Sequence, residues 1–377
     1  MPDPTEKKRS KPPRAACDWP TAAWKQAFRR RLLGWFRLHA RDLEWRRSRD
    51  PYRVWISEIM LQQTQVATVT SYFSKFIAAF PTIAALAAAR EQQVLRLWEG
   101  LGYYRRARQL HRAAEVIMRE HGGRFPQDAE AVRQLPGIGR YTAGAILSIA
   151  FDAREPIVEA NTLRLLSRLL AYRGDPRTTA GQKLLWQFAE ELLPRHGSGI
   201  FNQALMELGA LVCAPRDPAC GRCPVRGICP THREGLQHLV PRAKSPPRIE
   251  QVREVAVVVR RRGRVLLVER QAGERWAGLW DFPRFPVDPA DNGQQRQVLI
   301  ESVAEMTGVV CRPRELLTTL KHGVTRFRIT LDCHVADYER AIRGKWARAK
   351  TAWVAPGELE QYPLSVTGRK LARLVCH

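Results

Sequence analysis

Four cysteines near the middle of the chain have a spacing typical of a metal or cluster site. Cys213, Cys220, Cys223 and Cys229 follow the pattern Cys-x6-Cys-x2-Cys-x5-Cys. Four thiolates this close in sequence can bind one iron–sulfur cluster or one zinc ion, because both take soft sulfur ligands in a tetrahedral array. The spacing favours neither metal. Two structural disulfides are the alternative, which the lack of an apolar export segment and the scattering of the other cysteines disfavour.

A glutamate in apolar surroundings is a candidate proton donor. Asp50 and Pro51 form a good helix start, so Glu58 is expected early on a helix. Its apolar neighbours are Trp55, Ile56, Ile59, Met60 and Leu61. Desolvation among such residues raises the pKa of a carboxyl group toward the range of a general acid. The alternative is a glutamate that complements the dipole at the helix N-terminus.

A Gly-x-Gly turn joins two predicted helices. Glycine allows a tight turn, and the backbone N–H groups that start the next helix can bind a phosphate. A dinucleotide-binding fingerprint would join a strand to a helix, so a helix-hairpin-helix that holds a DNA backbone fits better. A plain turn between helices is the alternative. The turn consists of Leu135, Pro136, Gly137, Ile138, Gly139 and Arg140, between QDAEAVRQ and YTAGAILSIAF.

The charge of the chain favours a nucleic-acid partner. The 377 residues carry a formal net charge of +25, which indicates binding to a polyanion. Arginines are spread through the helical region instead of lining one amphipathic anchor, which argues against a membrane surface. No apolar stretch approaches the roughly 20 residues that span a bilayer. We expect a monomeric cytoplasmic protein, associated with the nucleoid and without a membrane partner.

The apolar pattern divides the chain into two domains. From Trp19 to about Glu207, apolar residues recur every three or four positions, which predicts many short helices. The segment VAVVV-RRRGR-VLLVE then predicts a β-hairpin, and Phe327 to Val335 alternate as a half-buried strand. The predicted bounds are a disordered basic tail (1–16), an all-α domain (17–235) with a helix-hairpin-helix (130–151) and a cysteine loop (213–229), a linker (236–252) and a smaller α/β domain (253–377).

The hairpin followed by a cysteine loop resembles the endonuclease III superfamily of DNA glycosylases, whose loop holds a 4Fe-4S cluster. Residues 50–69, 97–110 and 201–213 are similar to the MutY family of adenine glycosylases within it. The similarity covers residues 42–230 almost continuously. It implies an all-α helix-hairpin-helix glycosylase domain with one 4Fe-4S cluster on the four cysteines. The implied substrate is double-stranded DNA in which adenine is mispaired with 8-oxoguanine or guanine.

The resemblance also implies which residues carry out base flipping. Glu58 matches the glutamate that protonates adenine at N7. Gln63 matches a wedge that replaces the extruded base, and Tyr103 matches a residue that intercalates beside the partner base. A solvated helix face for Gln63 and core packing for Tyr103 are the alternatives. The positions that line the adenine pocket in the family match Trp45, Arg46 and Gln203.

Three further residues bear on the type of reaction. Tyr141 stands where bifunctional relatives have a lysine that forms a Schiff base, so the resemblance implies a monofunctional glycosylase. Tyr141 and Asn161 would help to hold the sugar, although both could simply cap local structure. The family ordinarily has aspartate and glycine where this chain has Glu159 and Ala160. This carboxylate would stabilise an oxocarbenium-like sugar, and a displacement of ~1 Å there costs on the order of 100-fold in rate. Normal adenine excision, a changed substrate and lesion binding with little catalysis stay open.

The C-terminal segment ERWAGLWDFPRF (274–285) resembles the Nudix-like domain with which the MutY family recognises 8-oxoguanine. A Nudix hydrolase needs clustered glutamates for Mg²⁺, but Ser302 and Met306 stand where two of these acids belong. We therefore expect no hydrolysis of diphosphates. Val324, Thr325 and Arg326 replace the family's Phe-Ser-His hairpin. Thr325 and Arg326 could contact the lesion differently or contact a phosphate, and a hairpin that only closes the strand pair is the alternative.

Overall fold

The computed structural model describes residues 20–243, 248–287, 295–342 and 349–376. The predicted basic tail and part of the predicted linker lie outside the described residues. The chain folds as two compact units. The first comprises the described residues of Met1–Glu58, Pro126–Gln134 and Ile138–Lys244, and the second those of Ile59–Phe125, Leu135–Gly137 and Ser245–His377. Within these described residues, no helix is long and apolar enough to cross a membrane.

The first two thirds of the described chain consist of short helices, as the periodicity predicts. Several begin at a residue whose side chain caps the helix: Thr21, Thr82 and Thr178 each accept a hydrogen bond from a first-turn N–H group. The helices are α1 (Ala22–His39), α2 (Pro51–Leu61), α3 (Val66–Ala79), α4 (Ile83–Ala88), α5 (Glu91–Trp98), α6 (Arg105–Glu120), α7 (Ala129–Gln134), α8 (Arg140–Phe151), α9 (Ala160–Leu169), α10 (Thr179–Leu192), α11 (Ser198–Leu211) and α12 (Pro230–Arg233).

The core of the first unit lies among α1, α9, α10 and α11, with Phe28 of α1 fully buried in it. Glycines allow α11 to approach its neighbours closely. A Cβ atom at Gly199 would lie 2.3 Å from the carbonyl oxygen of Ser148 on α8, and one at Gly209 would lie 3.0 Å from the Cβ of Asn161 on α9. Because neither contact tolerates a larger residue without movement, these glycines fix the packing of the helices that carry the candidate site.

The second unit contains helices α3 to α6 and a mixed sheet, which confirms the predicted α/β domain after the helices. The strand order is β3-β2-β1-β6-β5, with β4 paired to β1 and β7 paired to β2. Strands β1 and β6 are parallel, and the other pairs are antiparallel. The strands are β1 (Glu250–Arg261), β2 (Arg264–Glu269), β3 (Trp280–Asp281), β4 (Arg284–Pro286), β5 (Val309–Val324), β6 (Phe327–Ala341) and β7 (Thr351–Val354).

Helices cover both faces of this sheet, which explains why the segment VAVVV is apolar at every position. Val255, Val257 and Val259 pack on one face with α13 (Gln295–Thr307). Ala256 and Val258 point to the other face, toward α14 (Val366–Val375). Since neighbouring strand residues face opposite sides, a strand covered on both faces shows no polar alternation. The predicted hairpin of β1 and β2 is confirmed, with Arg260 opposite Val265.

Candidate active site

Glu58 of α2 and Tyr141 of α8 form a buried hydrogen-bonded pair. The Tyr141 hydroxyl donates to Glu58 Oε2 at 2.8 Å, and Glu58 is 5% exposed. Burial raises the pKa of the Glu58 carboxyl to about 7, and the charge of Glu159 acts in the same direction, against the Tyr141 hydrogen bond and the charge of Arg46. A carboxyl group with this pKa can donate a proton at neutral pH.

The expected position of Glu58 near the start of its helix is wrong. Helix α2 begins at Pro51, as predicted, but ends at Leu61, so Glu58 lies in its last turn. A negative charge there would oppose the helix dipole instead of complementing it. The dipole interpretation therefore fails, and the apolar surroundings of Glu58 remain the dominant influence on its carboxyl group.

Tyr141 is suited to act as a donor toward Glu58. Burial, and then the negative charges of Glu58 and Glu159, raise the pKa of the Tyr141 hydroxyl well above its ordinary value. The hydroxyl therefore keeps its proton throughout the neutral range. Since Tyr141 is the second residue of α8 (Arg140–Phe151), the hairpin before this helix determines where the hydroxyl points.

Glu159 is the N-cap of α9. Its Oε1 accepts from the N–H of Thr162 and its Oε2 from the N–H of Asn161, both at 2.8 Å, while its own N–H donates to the Thr162 hydroxyl. The positive end of the helix dipole also favours a carboxylate here. The suggestion that Asn161 caps a helix is therefore wrong, because Glu159 holds that position.

Asn161 lies in the first turn of α9 and is fixed by an arginine. Its Oδ1 accepts from Arg164 Nη2 at 2.9 Å. Arg164 also donates to the carbonyl oxygens of Gly209 and Cys213, both at 2.7 Å. These bonds join the start of α9 to the end of α11, so the Asn161 side chain is held in a single orientation.

Two arginines converge on Glu207 of α11, a residue that sequence reasoning missed. Glu207 is fully buried and accepts from Arg41 Nε at 2.8 Å, Arg41 Nη2 at 2.7 Å and Arg46 Nη2 at 2.8 Å. Burial opposes its ionisation, but the hydrogen bonds from Arg41 and Arg46 outweigh burial and lower the pKa of Glu207 to about 2. Glu207 is therefore a permanent anion that holds Arg46. The available signal was a single acid in the apolar run FNQALMELGALVC.

The three residues expected in a base pocket occupy two neighbouring elements of the first unit. Trp45 is 5% exposed and directly precedes Arg46 in a short 3₁₀ turn, Glu44–Arg46. Gln203 is half-buried and lies on α11 four residues before Glu207, on the same face of the helix. The Arg46–Glu207 ion pair therefore ties the turn that carries Trp45 to the helix that carries Gln203.

Gln63 and Tyr103 line one groove of the second unit, with a volume of about 340 Å³, called here the Tyr103 groove. Both residues have left-handed backbone conformations, with φ values of 57° and 47°. Tyr103 is 50% exposed, so the core-packing alternative is wrong. The Arg106 guanidinium lies 5.6 Å from the Tyr103 ring centroid and donates to the carbonyl oxygens of Ile59 and Met60 at 2.9 and 3.0 Å.

The predicted hairpin joins α7 to α8. Gly137 has a φ of 79°, a left-handed conformation that glycine adopts without strain. Leu135 and Ile138 are buried and anchor the turn, whereas Gly137 and Gly139 are exposed. Gly139 is the N-cap of α8 and offers no side-chain acceptor to the first-turn N–H groups. These N–H groups can therefore bind an anion.

The four cysteines line one cavity between α9 and the loop that follows α11. None of them forms a disulfide, so the disulfide alternative is wrong. Arg168 Nη1 donates to Cys213 Sγ at 3.3 Å. In the described ranges, no group of three or more His, Cys, Asp or Glu side chains is placed to hold a metal ion as it stands. Sulfurs around a shared cavity suit a cluster of several irons better than one zinc ion with four bonds of ~2.3 Å.

The segment expected to read the lesion is the turn of the β5–β6 hairpin. Val324 pairs with Phe327, so Thr325 and Arg326 form a two-residue turn, with a φ of 50° at Thr325. Arg326 Nε lies 3.0 Å from Glu250 Oε1, in a pair that stays largely exposed. The Thr325 hydroxyl donates locally, to the Val324 carbonyl oxygen at 2.7 Å. The turn therefore closes the strand pair and presents both side chains at the surface.

Comparisons with known proteins agree with this architecture. Residues 56–191 match the HhH-GPD superfamily of base excision DNA repair proteins, and residues 254–374 match the NUDIX domain. The chain is similar to the adenine DNA glycosylase of Rattus norvegicus, with 34% identity over 92% of this chain and 78% of that protein. It is 38% identical to the Homo sapiens adenine DNA glycosylase over 92% of this chain and 74% of that one.

A solved structure supports the helical part of the fold. A thermostable thymine-DNA glycosylase shares 30% identity and a TM-score of 0.52 with this chain, over 56% of this chain and 98% of that one. The similarity to the two adenine DNA glycosylases extends over most of both sequences. The chain therefore belongs to the adenine DNA glycosylase family and is itself a DNA glycosylase.

Proposed function

We propose that this protein is a monofunctional glycosylase that removes adenine mispaired with 8-oxoguanine or guanine from double-stranded DNA. The observation that carries the proposal is the buried Glu58 carboxyl group, with a pKa of about 7 and a hydrogen bond from Tyr141. Adenine is a poor leaving group until it is protonated, and a carboxyl group with this pKa can donate a proton at neutral pH. Adenine as the target base rests on the relatives.

The two carboxylates of the first unit divide the reaction between them. Glu58 gives its proton to N7 of adenine while the bond between sugar C1′ and N9 breaks and its electron pair leaves with the base. Glu159, held by the N–H groups of α9, stabilises the positive sugar. Water then adds to C1′ and returns a proton to Glu58. The extra methylene of Glu159, relative to aspartate, is compatible with this function because the helix N-terminus fixes its carboxylate.

The identity of Tyr141 supports hydrolysis of the base without strand cleavage, and other residues of the first unit would hold the sugar and the purine. Tyr141 cannot form a Schiff base, and its hydroxyl keeps its proton. Asn161, oriented by Arg164, would hold the sugar. Trp45 and Gln203 would receive the purine, with Gln203 offering a donor and an acceptor to its edge. Arg46 would complete this pocket in the fixed position that Glu207 imposes.

The second unit would supply the contacts of a flipped base with its duplex. In the Tyr103 groove, Gln63 would fill the space that the base leaves, and the exposed Tyr103 ring would stack beside the partner base. In the first unit, the N–H groups at the start of α8, after Gly139, would hold a phosphate.

The partner base would be recognised by the C-terminal part of the second unit. Recognition of 8-oxoguanine would fall to the turn of Val324, Thr325 and Arg326, where the Arg326 side chain pairs with Glu250. This pairing favours a second candidate, a related mismatch glycosylase with a different partner base. A phosphate contact by Arg326 would fit either function.

We also propose one 4Fe-4S cluster on Cys213, Cys220, Cys223 and Cys229, which share one cavity. When bound, the cluster would fasten the loop to the end of α11 through iron–thiolate bonds. Equal amounts of iron and acid-labile sulfide in the purified protein would support it, and zinc alone would contradict it. We further propose domain bounds of 17–235, 236–252 and 253–377, and a monomeric state.

Single-turnover base release tests the function. Duplexes would carry adenine opposite 8-oxoguanine, guanine or thymine, and alkali would cleave any abasic site. We expect release opposite 8-oxoguanine and guanine, with Glu58→Gln slower by about 10²- to 10⁴-fold, as for loss of a general acid. Glu115→Gln, the same change at an exposed position of α6, is the control. No release by the wild type, or full activity of Glu58→Gln, would refute the proposal. Faster release by Glu159→Asp would show that the longer carboxylate limits the rate.

A further inference from the structure

A second groove of the second unit adjoins the Tyr103 groove. Arg105 and Gln109 line the Tyr103 groove and also line a neighbouring groove of about 520 Å³, called here the arginine groove. Because the two grooves share these walls, a chain molecule that occupies one can continue into the other. A volume of about 520 Å³ lies within the range of ordinary small-molecule sites, so it can receive one or two nucleotide units.

The walls of the arginine groove carry an excess of positive charge. Arg105, Arg108 and Arg112 lie three and four residues apart on α6, so their side chains share one face. Arg270, after β2, and Lys350, before β7, face them from the sheet. Five cations in one groove favour a ligand with more than one negative charge.

Two of the five cations, Arg270 and Lys350, pair with acids of the protein, and the positive charge stays in excess. Two acids also line the groove, Glu91 and Glu269, and Lys350 pairs with Glu269 at 2.9 Å. Arg105 and Arg112 are exposed and have no acidic partner in the described part of the chain. Their guanidinium groups are therefore available to bind phosphate in bidentate fashion.

Arg270 adds a buried donor without an acceptor. Its side chain is 11% exposed, and its Nε has no hydrogen-bond partner within the described residues. Its Nε lies 3.8 Å from Glu274 Oε2 in an ion pair without a hydrogen bond. Its Nη1 donates to the carbonyl oxygen of Arg284 at 3.1 Å. Arg270 is therefore a fixed positive charge in the wall of the groove.

The groove is also shaped before any ligand binds. Arg108 donates to the carbonyl oxygen of Ala277, and Gln92 Nε2 donates to that of Gly278 at 3.1 Å. Gly278 has a φ of 81°, and a Cβ there would lie 3.0 Å from Arg108 Nη1. These contacts fasten the β2–β3 turn against α5 and α6. The walls of the groove therefore need little further ordering when a ligand binds.

We propose that the arginine groove binds the phosphodiester backbone of the DNA strand whose base Tyr103 contacts, just beyond the mispair. This inference rests on the proposed function, because the direction of the strand follows from Tyr103 lying beside the partner base. Phosphate esters occur in free nucleotides as well. Continuity with the Tyr103 groove assigns the groove to a strand, since a single nucleotide would need no second groove.

The test is the salt dependence of binding to a duplex with an uncleavable adenine analogue opposite 8-oxoguanine. The logarithm of the binding constant falls linearly with the logarithm of the salt concentration. Arg105→Ala and Arg112→Ala should each make this slope less steep by about 0.9, which corresponds to the loss of one phosphate contact. Arg119→Ala is the control, because Arg119 lies farther along α6, outside the groove, and pairs with Glu120 at 2.6 Å. Its slope should equal that of the wild type.

A scan of uncharged methylphosphonate linkages identifies the phosphate. One linkage on the partner strand should weaken wild-type binding and leave Arg112→Ala binding unchanged, since that variant has already lost the contact. Slopes equal to wild type for both groove variants would overturn the inference. So would binding of free deoxyadenosine monophosphate that depends on Arg112 while the duplex slopes do not. Base release by the wild type tests the proposed function separately, so a failure of either can be told from a failure of the other.

Discussion

Glu58 on α2 and Glu207 on α11 are buried to nearly the same degree, at 5% and 0% exposure, yet differ in charge. Glu58 receives one hydrogen bond from the neutral Tyr141 hydroxyl, and its pKa rises to about 7. Glu207 receives hydrogen bonds from two guanidinium groups, and its pKa falls to about 2. Burial opposes the ionisation of both carboxyl groups; the two guanidinium donors of Glu207 outweigh burial, whereas the neutral donor of Glu58 does not.

Arg46 lies close enough to Glu58 to lower the pKa of that carboxyl group. Arg46 directs Nη2 to Glu207 at 2.8 Å and Nη1 to the Arg41 carbonyl oxygen at 3.3 Å. Its donors are thus committed away from Glu58. By holding Arg46, Glu207 limits the lowering of the Glu58 pKa by this arginine, so that the carboxyl group keeps its proton near neutral pH.

Removing Glu207 should have the largest effect. Glu207→Ala leaves Arg41 and Arg46 beside a buried site without their anion, and breaking a buried ion pair on one side costs about 3–5 kcal/mol of unfolding free energy. Urea denaturation measures this loss. The control is Glu190→Ala, since the Glu190 side chain is 56% exposed and lies 3.8 Å from Arg154, and such pairs contribute about 1 kcal/mol or less. Equal losses for the two variants would contradict the assignment of Glu207 as an anchor.

The two glutamates also differ in how far sequence predicts them. Glu58 was recognisable because its neighbours on α2 are apolar, which is a local property. Its position in the last turn of α2 was not predicted, since Pro51 marks the start of a helix and nothing as clear marks its end at Leu61. Glu207 was missed because its partners, Arg41 and Arg46, are far away in sequence, and only the folded chain brings them to α11.

Other parts of the chain follow the same rule. The hairpin at Gly137, the β1–β2 hairpin and the helical periodicity depend on neighbouring residues, and the structure agrees with them. The N-cap position of Glu159 is a local feature that was still missed, because glutamate is not among the preferred caps. Its signal was Thr162 three residues later, whose hydroxyl oxygen accepts a hydrogen bond from the Glu159 N–H group. The arginine groove required the fold, since α6 and the β2–β3 turn are distant in sequence.

The stability of the two sites should depend on pH in opposite directions. The pKa of Glu58 rises from 4.5 to about 7 on folding, so its stabilising contribution is complete below pH 4.5 and is lost as pH rises through 7. The loss of unfolding free energy between pH 4.5 and pH 8 amounts to about 3 kcal/mol. The contribution of Glu207, with its pKa lowered to about 2, is complete above pH 4.5 and is lost only in strong acid.

Glu58→Gln isolates the first of these contributions. Glutamine has no proton to lose, so the variant should gain about 3 kcal/mol relative to wild type between pH 4.5 and pH 8. Urea unfolding of both proteins at several pH values measures the difference. A difference that stays constant with pH would mean that Glu58 ionises as readily in the folded chain as in the unfolded one.

Tyr141→Phe should give the smallest change in free energy, and it tests directly whether the hydrogen-bond donor controls the pKa of Glu58. The Tyr141 hydrogen bond lowers the pKa of Glu58, so its removal should raise that pKa further, by about one unit for a bond to a charged acceptor worth ~1.5 kcal/mol. A general acid works in its protonated form. The alkaline limb of the single-turnover rate should therefore move to higher pH by about one unit, although the maximal rate falls if the hydroxyl also holds the sugar. A limb that stays in place would show that the Tyr141 hydroxyl does not control the proton of Glu58. A limb that moves to lower pH would show that an arginine has reached the carboxyl group, as at Glu207.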